Sequence, residues 1–582
     1  ISQNVTVNPD TKYRVEFWYK CSGVGEVIWC IRVDNDTENQ ILERRMENVW
    51  TRWTGEFDTS KAPSLASSAM IGFWVWFNDY ILIDDVSIKE VKPNETAAHV
   101  AEDVVANLSR SAEQNPAELA RKKALQKWQE LFPRRKYLCW GKSPWDKLAR
   151  SQLPLASAKA CRQINLAMGE NEYESTSFVL TNLSNETAEF AVSAEDVGIP
   201  VTLREGVWVT THCGRKVNDA LPLLEKNLSI PSGESREIWL TLYSRGVKPG
   251  NYNPRITIES QGLPSSSIEL NVKIYPVSLP EEKPIYTYYW DYLVLKWTTP
   301  EQAQALTEDM KKHYVNTPIV HPWPLRIQLD ESGELKRDYT ELDRSLDYYL
   351  QINPRMVLLN LLASGYLEKM PGFFSEEWKA LFRSYVVDLV SHLKEKGLGY
   401  DRFALYPYDE RLDEPVYNMA KLIKEIDPRI LVYVNNNGTP AEAKVIAPYV
   451  DIWCPGLDGQ LESWPSPKTR NLDPTLLSKK PEFFWTYANP MPPFPQTVSP
   501  YKSYRLPVWR AWQAGMNGFG YWVYSYKTHW NSYKHEDGQN WAVVYFADAP
   551  DTPVGISKKE LVVTGKRWEA TREGVEDYVY LY

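Results

Sequence analysis

Residues 402–435 read RFALYPYDERLDEPVYNMAKLIKEIDPRILVYVN and set out a strand, a helix and a second strand in that order. Asp413, followed by Glu414 and Pro415, has the composition that a helix prefers at its N-cap and first turn. The same alternation fills the chain after Pro284. The predicted strands are 285–292, 316–321, 355–361, 402–409, 430–435, 451–454, 482–487 and 518–524, and the predicted helices are 300–313, 339–351, 375–396, 414–426, 441–447 and 501–515. This pattern predicts a (βα)8 TIM barrel.

A doubly wound parallel sheet is the competing fold for alternating strands and helices. It would need fewer strands and a Gly-rich phosphate-binding turn, and the sequence contains neither G-x-G-x-x-G nor a P-loop. The barrel prediction also says where chemistry should occur, because functional side chains of such barrels lie at the C-terminal ends of the strands.

Three further segments precede the barrel and predict a multidomain chain with β-sandwich modules. In residues 1–92, apolar and polar side chains alternate with period two in runs that Gly, Asn and Asp interrupt. Residues 136–280 show the same alternation with clear turn signals. Both segments therefore predict β-sandwiches. Residues 93–135 have apolar side chains at helical spacing and predict a helical connector. Residues 281–582 complete the division as the barrel with a C-terminal helical extension. The charges between Arg567 and Asp577 in that extension predict a solvated helix face.

The first segment is similar to jelly-roll carbohydrate-binding modules in the run Asn8-Pro9-Asp10-Thr11-Lys12-Tyr13 and the closing run Ile83-Asp84-Asp85-Val86. About two strands normally precede the first of these runs in such modules, so the resemblance implies a module truncated at its start. Trp50, Trp53, Trp74 and Trp76 offer aromatic surface for a glycan, half of which strand alternation should bury. Asp84 and Asp85 are either a Ca²⁺ site or a strand-end turn.

Composition excludes several classes of protein. Of 582 residues, 66 are Lys or Arg and 75 are Asp or Glu, and the formal net charge of −9 gives no basic footprint for nucleic acid. No apolar run approaches the roughly 20 residues of a membrane span. The six cysteines are scattered without a C-x2-C pair, so we expect no zinc site, and we expect no catalytic metal. The chain also contains 24 Trp and 35 Tyr, whose flat amphipathic rings suit sugar faces.

The predicted strand ends carry aromatic, amide and carboxylate groups, which together would form a sugar pocket. The candidate substrate-binding residues are His321, Tyr433, Asn435, Trp453, Trp485, Tyr487, Trp522 and Tyr524. Several of them have a structural alternative. His321 is as consistent with a buried structural histidine, and Trp485 and Trp522 with packing in the barrel core.

Asp409 and Glu410 are the candidate catalytic residues, at the end of the fourth predicted strand. Neighbouring residues within a strand point to opposite faces, so two adjacent carboxylates reach one pocket only where the chain leaves the strand. Turn residues before a helix are the alternative interpretation, but that helix already has its N-cap in Asp413. The negative charge of Asp409 would raise the proton affinity of Glu410.

The chain resembles glycoside hydrolase family 123, the β-N-acetylgalactosaminidases, between about residues 140 and 582. The motifs that carry the resemblance are Gly169-Glu170-Asn171-Glu172-Tyr173-Glu174-Ser175, Tyr408-Asp409-Glu410, Trp485-Thr486-Tyr487, Arg505 with Trp509, Gly518-Phe519-Gly520-Tyr521-Trp522, and the run from Arg567 to Tyr578. Each motif is weak alone, and their order and spacing agree with a sandwich followed by a barrel.

The resemblance implies a retaining, exo-acting β-N-acetylhexosaminidase that uses substrate-assisted catalysis, with N-acetylgalactosamine favoured over N-acetylglucosamine. Asp409 would orient the acetamido group and Glu410 would be the general acid/base. The expected partner is a glycan with a terminal β-linked N-acetylhexosamine, no cofactor is expected, and an extracellular or periplasmic location is favoured. The chain begins Ile-Ser-Gln with neither Met nor a signal-peptide pattern, so we expect a fragment or a processed form.

Two other functions remain open on the sequence. One is a glycosidase that pairs Glu410 with a distant carboxylate and acts on a sugar without an acetamido group. The other is a catalytically inert carbohydrate-binding protein that keeps the barrel.

Overall fold

The computed structural model forms two compact units, residues 1–123 and 124–582. It describes residues 2–8, 11–33, 51–59, 68–91, 116–131, 133, 135–150, 152–154, 159–211, 216–225, 227–292, 298–435, 440–456, 482–489, 498–526, 529–531 and 541–582.

The first unit contains one antiparallel sheet with the strand order β1-β4-β2-β3. Its strands are β1 (Ser2–Thr6), β2 (Lys12–Val33), β3 (Thr51–Asp58) and β4 (Ser68–Glu90). Tyr13, Val15 and Phe17 of β2 are buried at alternate positions, as the period of a strand requires.

Several predictions for the first segment concern residues outside this description. Trp50 and residues 93–115 of the predicted connector lie outside the described residues, and so do the side chains of Trp53, Trp74, Trp76 and the pair Asp84-Asp85. Within the predicted helical connector, the structure contains α1 (Pro116–Leu131). Trp128 of α1 donates its indole N–H to the Pro154 carbonyl at 2.9 Å.

A β-sandwich follows, as the alternating pattern predicted. Its strands are β5 (Tyr137–Gly141), β6 (Gln163–Glu170), β7 (Tyr173–Asn182), β8 (Ala188–Ala194), β9 (Val201–Thr210), β10 (Lys216–Ala220), β11 (Leu228–Ile230), β12 (Ser235–Tyr243), β13 (Gly250–Tyr252), β14 (Arg255–Ser260) and β15 (Ser266–Ser278). One sheet has the order β10-β9-β12-β7-β5 and the other β11-β8-β14-β15-β13, with β6 parallel to β15. The core contains buried aliphatic side chains from both sheets, among them Leu180, Ile238, Leu240, Ile256 and Leu270.

The predicted TIM barrel is confirmed as an eight-stranded parallel sheet. Its strands are β16 (Tyr286–Asp291), β17 (Ile319–Val320), β18 (Val357–Asn360), β19 (Phe403–Tyr406), β20 (Leu431–Asn435), β21 (Ile452–Cys454), β22 (Phe483–Tyr487) and β23 (Gly518–Ser525). The helices are α2 (Pro300–Lys312), α3 (Thr340–Tyr349), α4 (Glu376–Glu395), α5 (Glu414–Ile426), α6 (Pro440–Ile446) and α7 (Leu506–Gln513). β16 pairs with β23, and the Thr317 N–H donates to the Thr287 carbonyl at 3.0 Å where β16 and the approach to β17 meet.

The barrel interior is filled by side chains that alternate along the strands with those facing the helices. The inward set is Tyr288, Trp290, Ile319, Met356, Leu358, Ala404, Tyr406, Tyr433, Ile452, Cys454, Trp485 and Val523, together with Ala542 from the segment after β23. Two glycines of β23 make this packing possible. A Cβ at Gly518 would lie 2.2 Å from the Trp485 ring, and a Cβ at Gly520 would lie 2.1 Å from the Tyr288 carbonyl oxygen.

The chain after the barrel strands forms a short hairpin and a long helix. The hairpin pairs β24 (Val544–Phe546) with β25 (Val562–Thr564), and the helix is α8 (Lys566–Leu581). The prediction that the charges between Arg567 and Asp577 form a solvated face is wrong for most of them, because these side chains are paired between the sandwich and the barrel. Arg567 is fully buried and 3.0 Å from Asp219 of β10.

Other charges of α8 are paired in the same way. Lys566 forms an ion pair with Glu237 of β12. Arg505, which precedes α7, forms ion pairs with Glu573 and with Asp577, the latter at 2.6 Å. Helix α8 therefore joins the sandwich to the barrel through buried charges. None of the helices in the described ranges has the length and apolar composition of a membrane span.

Candidate active site

The C-terminal ends of β19 and β20 bring Asp409, Glu410 and Asn435 together. Asp409 Oδ1 accepts hydrogen bonds from the Tyr406 hydroxyl and from Asn435 Nδ2, the latter at 3.0 Å. Asn435 Oδ1 accepts the backbone N–H of Glu410 at 2.9 Å. Tyr406 and Asn435 are the last residues of β19 and β20, so the carboxylate of Asp409 is held by side chains fixed to the barrel wall.

The backbone conformation explains how two adjacent acidic residues can both reach the barrel mouth. Strand β19 ends at Tyr406, so the strict alternation of a strand no longer applies at Asp409 and Glu410. Glu410 has φ of 51°, in the left-handed region that non-glycine residues seldom occupy. Such strain is often found at functional sites.

Asp409 and Glu410 keep carboxylate oxygens that no hydrogen bond from the described residues reaches. Within the part of the chain that the structure describes, no protein group donates to Asp409 Oδ2 or to either carboxyl oxygen of Glu410. Asp409 is half-buried, and Glu410 is exposed to solvent at the mouth. Partial desolvation by the surrounding protein raises the pKa of Glu410, and the charge of Asp409 adds to that effect. None of the described residues therefore blocks these oxygens from contacting a ligand.

Tyr487, at the end of β22, faces the same pair. Burial raises the pKa of its phenol well above the ordinary value, and the charges of Asp409 and Glu410 raise it further. The phenol therefore stays protonated and is a hydrogen-bond donor. Burial also raises the pKa of Tyr292 to about 12, with Asp409 again among the nearby charges.

Aromatic side chains from strands β16 and β23 form one wall of the mouth. Trp522 donates its indole N–H to the Tyr292 hydroxyl at 3.2 Å, and its ring centroid is 5.7 Å from that of Trp541. The rings of Tyr292 and Trp290 are stacked with centroids 6.1 Å apart, and Trp290 in turn lies 6.1 Å from Tyr406. This wall supplies flat apolar surface next to the two carboxylates.

His321 lies behind the aromatic wall. It is buried, its ring centroid is 4.5 Å from that of Tyr292, and its Nε2 contacts the Asp291 carbonyl oxygen. Since the neighbour is a carbonyl, Nε2 carries the proton and donates. Burial lowers the pKa of His321 to about 4, so the ring is neutral near pH 7. These contacts favour a supporting role for His321.

Two predicted substrate-binding residues are interior packing residues. Trp485 is fully buried, and its indole N–H has no hydrogen-bond partner in the described part of the chain. Tyr433 is buried with its ring centroid 4.5 Å from that of Tyr406. Both side chains support the residues around Asp409 from within the barrel.

The predictions for Trp453 and Tyr524 are wrong, because both side chains point away from the barrel interior. Ile452 and Cys454 face inward, so strand alternation turns Trp453 toward the helix layer, where it is buried. Tyr524 donates its hydroxyl to Asp309 of α2 at 2.8 Å. The pairing of β16 with β23 is irregular before Ser525, which breaks the alternation that would have directed Tyr524 inward.

Tyr406 and Tyr292 belong to the site and were missing from the predicted residues. Tyr406 has the strand phase of Ala404, so alternation along β19 was the signal that could have identified it. Tyr292 lies just beyond the end of β16, at the position where barrel side chains contribute to the mouth.

No group of His, Cys, Asp and Glu side chains within the described ranges is arranged as a metal site. Among the described residues, the candidate site therefore consists of two carboxylates, an amide, three phenols and indole rings.

Comparison of the sequence with known family profiles and with curated proteins gives no match. The structure is similar to that of a family 123 glycoside hydrolase from Clostridium perfringens described in connection with glycolipid glycan hydrolysis. The TM-score is 0.58 and the sequence identity 15%, over 76% of this chain and 88% of that chain. At this identity the similarity establishes the fold, which is the sandwich and barrel expected from the resemblance.

Two further solved structures are more distant. A GH5 xyloglucanase from Bacteroides ovatus has a TM-score of 0.31 and 9% identity, over 71% of this chain and 98% of that chain. A family 39 glycoside hydrolase from Bacteroides cellulosilyticus has a TM-score of 0.35 and 11% identity, over 70% of this chain and 81% of that chain. Neither score reaches 0.5, so neither adds to the fold assignment.

Proposed function

We propose that the chain is a retaining, exo-acting β-N-acetylhexosaminidase that favours N-acetylgalactosamine and acts through an oxazolinium intermediate. The observation that carries the proposal is the adjacent pair Asp409 and Glu410 at a barrel mouth beside an aromatic wall, with carboxylate oxygens that no described residue occupies. The fold shared with a family 123 glycoside hydrolase supports the same reaction class.

The first step uses the 2-acetamido oxygen of the substrate as the nucleophile at C1. An intramolecular nucleophile held in a reactive geometry has an effective concentration on the order of 10⁵ M or more. A second carboxylate as nucleophile is then unnecessary, as in other substrate-assisted glycosidases. This agrees with a site whose two carboxylates are neighbours in sequence.

Asp409 accepts the acetamide N–H through Oδ2, the oxygen that Tyr406 and Asn435 leave free. As the carbonyl oxygen attacks C1, positive charge develops on the acetamido group and forms the oxazolinium. A fixed carboxylate stabilises that charge because it needs no reorganisation during the step. Tyr487 donates its phenol to the acetamido oxygen and orients it toward C1.

Glu410 is the general acid and then the general base. It begins protonated, which its raised pKa favours, and gives the proton to the departing glycosidic oxygen. The resulting carboxylate then takes a proton from the water that opens the oxazolinium at C1. Two displacements at C1 leave the β configuration retained.

The aromatic wall is proposed to contact the sugar. Trp522 and Tyr292 present ring surface that suits the apolar face of a pyranose or the methyl group of the acetamide. The preference for N-acetylgalactosamine depends on one axial hydroxyl and rests on the family resemblance.

A panel of nitrophenyl glycosides tests the function directly. We expect turnover of the β-N-acetylgalactosaminide and none of the β-galactoside. The reverse result would support a glycosidase that does not use an acetamido group. No turnover of any member, by folded protein, would support an inert carbohydrate-binding barrel.

A further inference from the structure

We propose that Asn435 is a positioning residue that couples the two catalytic candidates, with one end of its carboxamide fixing Asp409 and the other fixing the backbone of Glu410. This inference rests on the proposed function. It differs from the sequence prediction, in which Asn435 binds substrate.

The orientation of the Asn435 amide follows from its partners. A backbone N–H can only donate, so the atom facing Glu410 N at 2.9 Å is the amide oxygen. The amide nitrogen then faces Asp409 Oδ1 at 3.0 Å and donates to it. Asn435 is the last residue of β20 and is nearly fully buried, so the amide is held by the barrel wall.

The first consequence is that the two oxygens of Asp409 are no longer equivalent. Oδ1 accepts from both Tyr406 and Asn435, and those donors fix the plane of the carboxylate. Oδ2 is then presented in one direction, toward the acetamide N–H. Without Asn435, the carboxylate would keep Tyr406 as its one donor among the described residues and would be less constrained against rotation.

The second consequence concerns Glu410. Its φ of 51° is unfavourable for a residue with a side chain, and the bond from its N–H to Asn435 holds the backbone in that conformation. That conformation aims the acid at the mouth. One amide thus sets the relative placement of the group that stabilises the oxazolinium and the group that protonates the leaving oxygen.

Asparagine is the residue type that satisfies both contacts. Aspartate at position 435 has the same shape and could still accept the Glu410 N–H, but its second oxygen would meet Asp409 Oδ1 without a proton between them. Asn435→Asp therefore separates the two halves of the proposed role, whereas Asn435→Ala removes both.

The test compares these two variants with wild type on a nitrophenyl β-N-acetylgalactosaminide and on the thiazoline analogue of the oxazolinium. A misplacement near 1 Å can cost about 10²-fold in rate, so we expect Asn435→Ala to lose roughly 10- to 100-fold in kcat and to bind the thiazoline correspondingly less tightly. We expect Asn435→Asp to lose at least as much kcat. On a substrate with a poor leaving group, which needs the proton of Glu410, its added charge should also raise the pH at which the basic limb of the rate profile falls, since a neighbouring anion favours protonated Glu410. A role in stability alone would not move that limb.

Asn517→Ala is the matched control. Asn517 is also an asparagine of the barrel wall with two side-chain hydrogen bonds to backbone, from Phe484 N–H at 3.0 Å and to the Glu482 carbonyl at 2.8 Å, but it lies at the N-terminal ends of the strands. This variant should lose thermal stability and keep wild-type kcat and thiazoline affinity.

The outcomes separate the two proposals. If wild type neither hydrolyses the substrate nor binds the thiazoline, the proposed function is wrong and the role of Asn435 falls with it. If wild type does both, and folded Asn435→Ala and Asn435→Asp match it in kcat, thiazoline affinity and pH profile, the positioning role alone is overturned. Asn435→Asp keeps the volume of the side chain, so it supplies a folded variant if Asn435→Ala does not fold.

Discussion

The barrel mouth and helix α8 each contain a pair of acidic residues whose environment raises a carboxyl pKa, and the two regions use those residues differently. At the mouth, partial desolvation and Asp409 raise the pKa of Glu410. In α8, burial raises the pKa of Glu576 to about 8 and that of Glu573 to about 7. A raised pKa alone would mark both regions as functional, and structural ionic networks raise pKa values too.

The partners of the carboxylates distinguish the regions. Glu576 Oε1 accepts from the Tyr173 N–H at 2.8 Å and from the Tyr314 hydroxyl at 2.6 Å, and Glu573 pairs with Arg505. Both are buried away from water. The carboxyl of Glu410 has no such partner among the described residues and is open to solvent. Solvent-exposed carboxylate oxygens that no described residue occupies are therefore a better indicator of chemistry than a raised pKa alone.

The largest expected effect belongs to Glu410. Glu410→Gln should lower kcat roughly 10²- to 10⁴-fold on a substrate with a poor leaving group, which is the usual contribution of general acid catalysis to the rate. On an activated nitrophenyl leaving group the glycosylation step should suffer much less, because that group departs without a proton. Steady-state rates on the two substrates measure the difference. Equal losses on both would contradict the assignment of Glu410 as acid.

Asp409→Asn should lower kcat on both kinds of substrate by roughly 10²- to 10³-fold, the cost of removing a preorganised electrostatic contact. The oxazolinium forms whichever group departs, so the leaving group should not matter. The thiazoline analogue should bind tightly to wild type and weakly to this variant, because transition-state-like ligands report catalytic contacts. Equal thiazoline affinity for the two proteins would contradict the proposal that Asp409 stabilises the oxazolinium.

A smaller effect of Asp409→Asn is expected on the pH dependence of kcat/KM. The negative charge of Asp409 contributes to the raised pKa of Glu410, so Asp409→Asn should lower that pKa. Glu410 must be protonated to act as acid, and the basic limb of the residual kcat/KM profile should move to lower pH. A pH series on a substrate with a poor leaving group, which needs the proton of Glu410, measures the shift, and an unmoved basic limb would show that another group controls it.

The smallest effect on activity is expected in α8, where Glu576→Gln should leave kcat within about twofold of wild type. Its carboxyl ionises near pH 4 in the unfolded chain and near pH 8 in the fold, so its contribution to stability is lost as the pH rises between those values. Glutamine cannot ionise, so the variant should melt above wild type at pH 9, by about 1 °C for each kcal/mol regained in a unit as large as residues 124–582. At pH 4 the two proteins should melt alike. A large loss of kcat would make the α8 acids part of the function.

The barrel could be predicted from the sequence because its strands are short apolar runs separated by helices of ordinary length. Predicted and observed strand boundaries differ by three residues or fewer, as at 402–409 against Phe403–Tyr406. The Asp409-Glu410 pair was identifiable because two adjacent carboxylates at a strand end have a geometric meaning. Their free oxygens and the bridging amide of Asn435 come only from the three-dimensional arrangement.

The errors have physical causes as well. Trp453 was chosen for its residue type at a strand end, although the phase of β21 directs it outward. Tyr524 was chosen on the assumption of regular alternation along β23, but the pairing of β23 with β16 is irregular near this residue. The charges of α8 occur at helical spacing, and spacing cannot distinguish a face in water from one paired with buried charges of two neighbouring layers.

Helix α8 also determines when, during synthesis, the buried ion pairs of the sandwich can form. The cations that neutralise Asp219 and Glu237 of the sandwich are Arg567 and Lys566, which the ribosome adds more than 300 residues later. Until then the sandwich holds two carboxylates at buried positions without their partners. The sandwich and the barrel are therefore not interchangeable modules. A sandwich expressed without α8 would carry uncompensated charge in its interior, and exchange of either part between related proteins would require exchange of this helix with it.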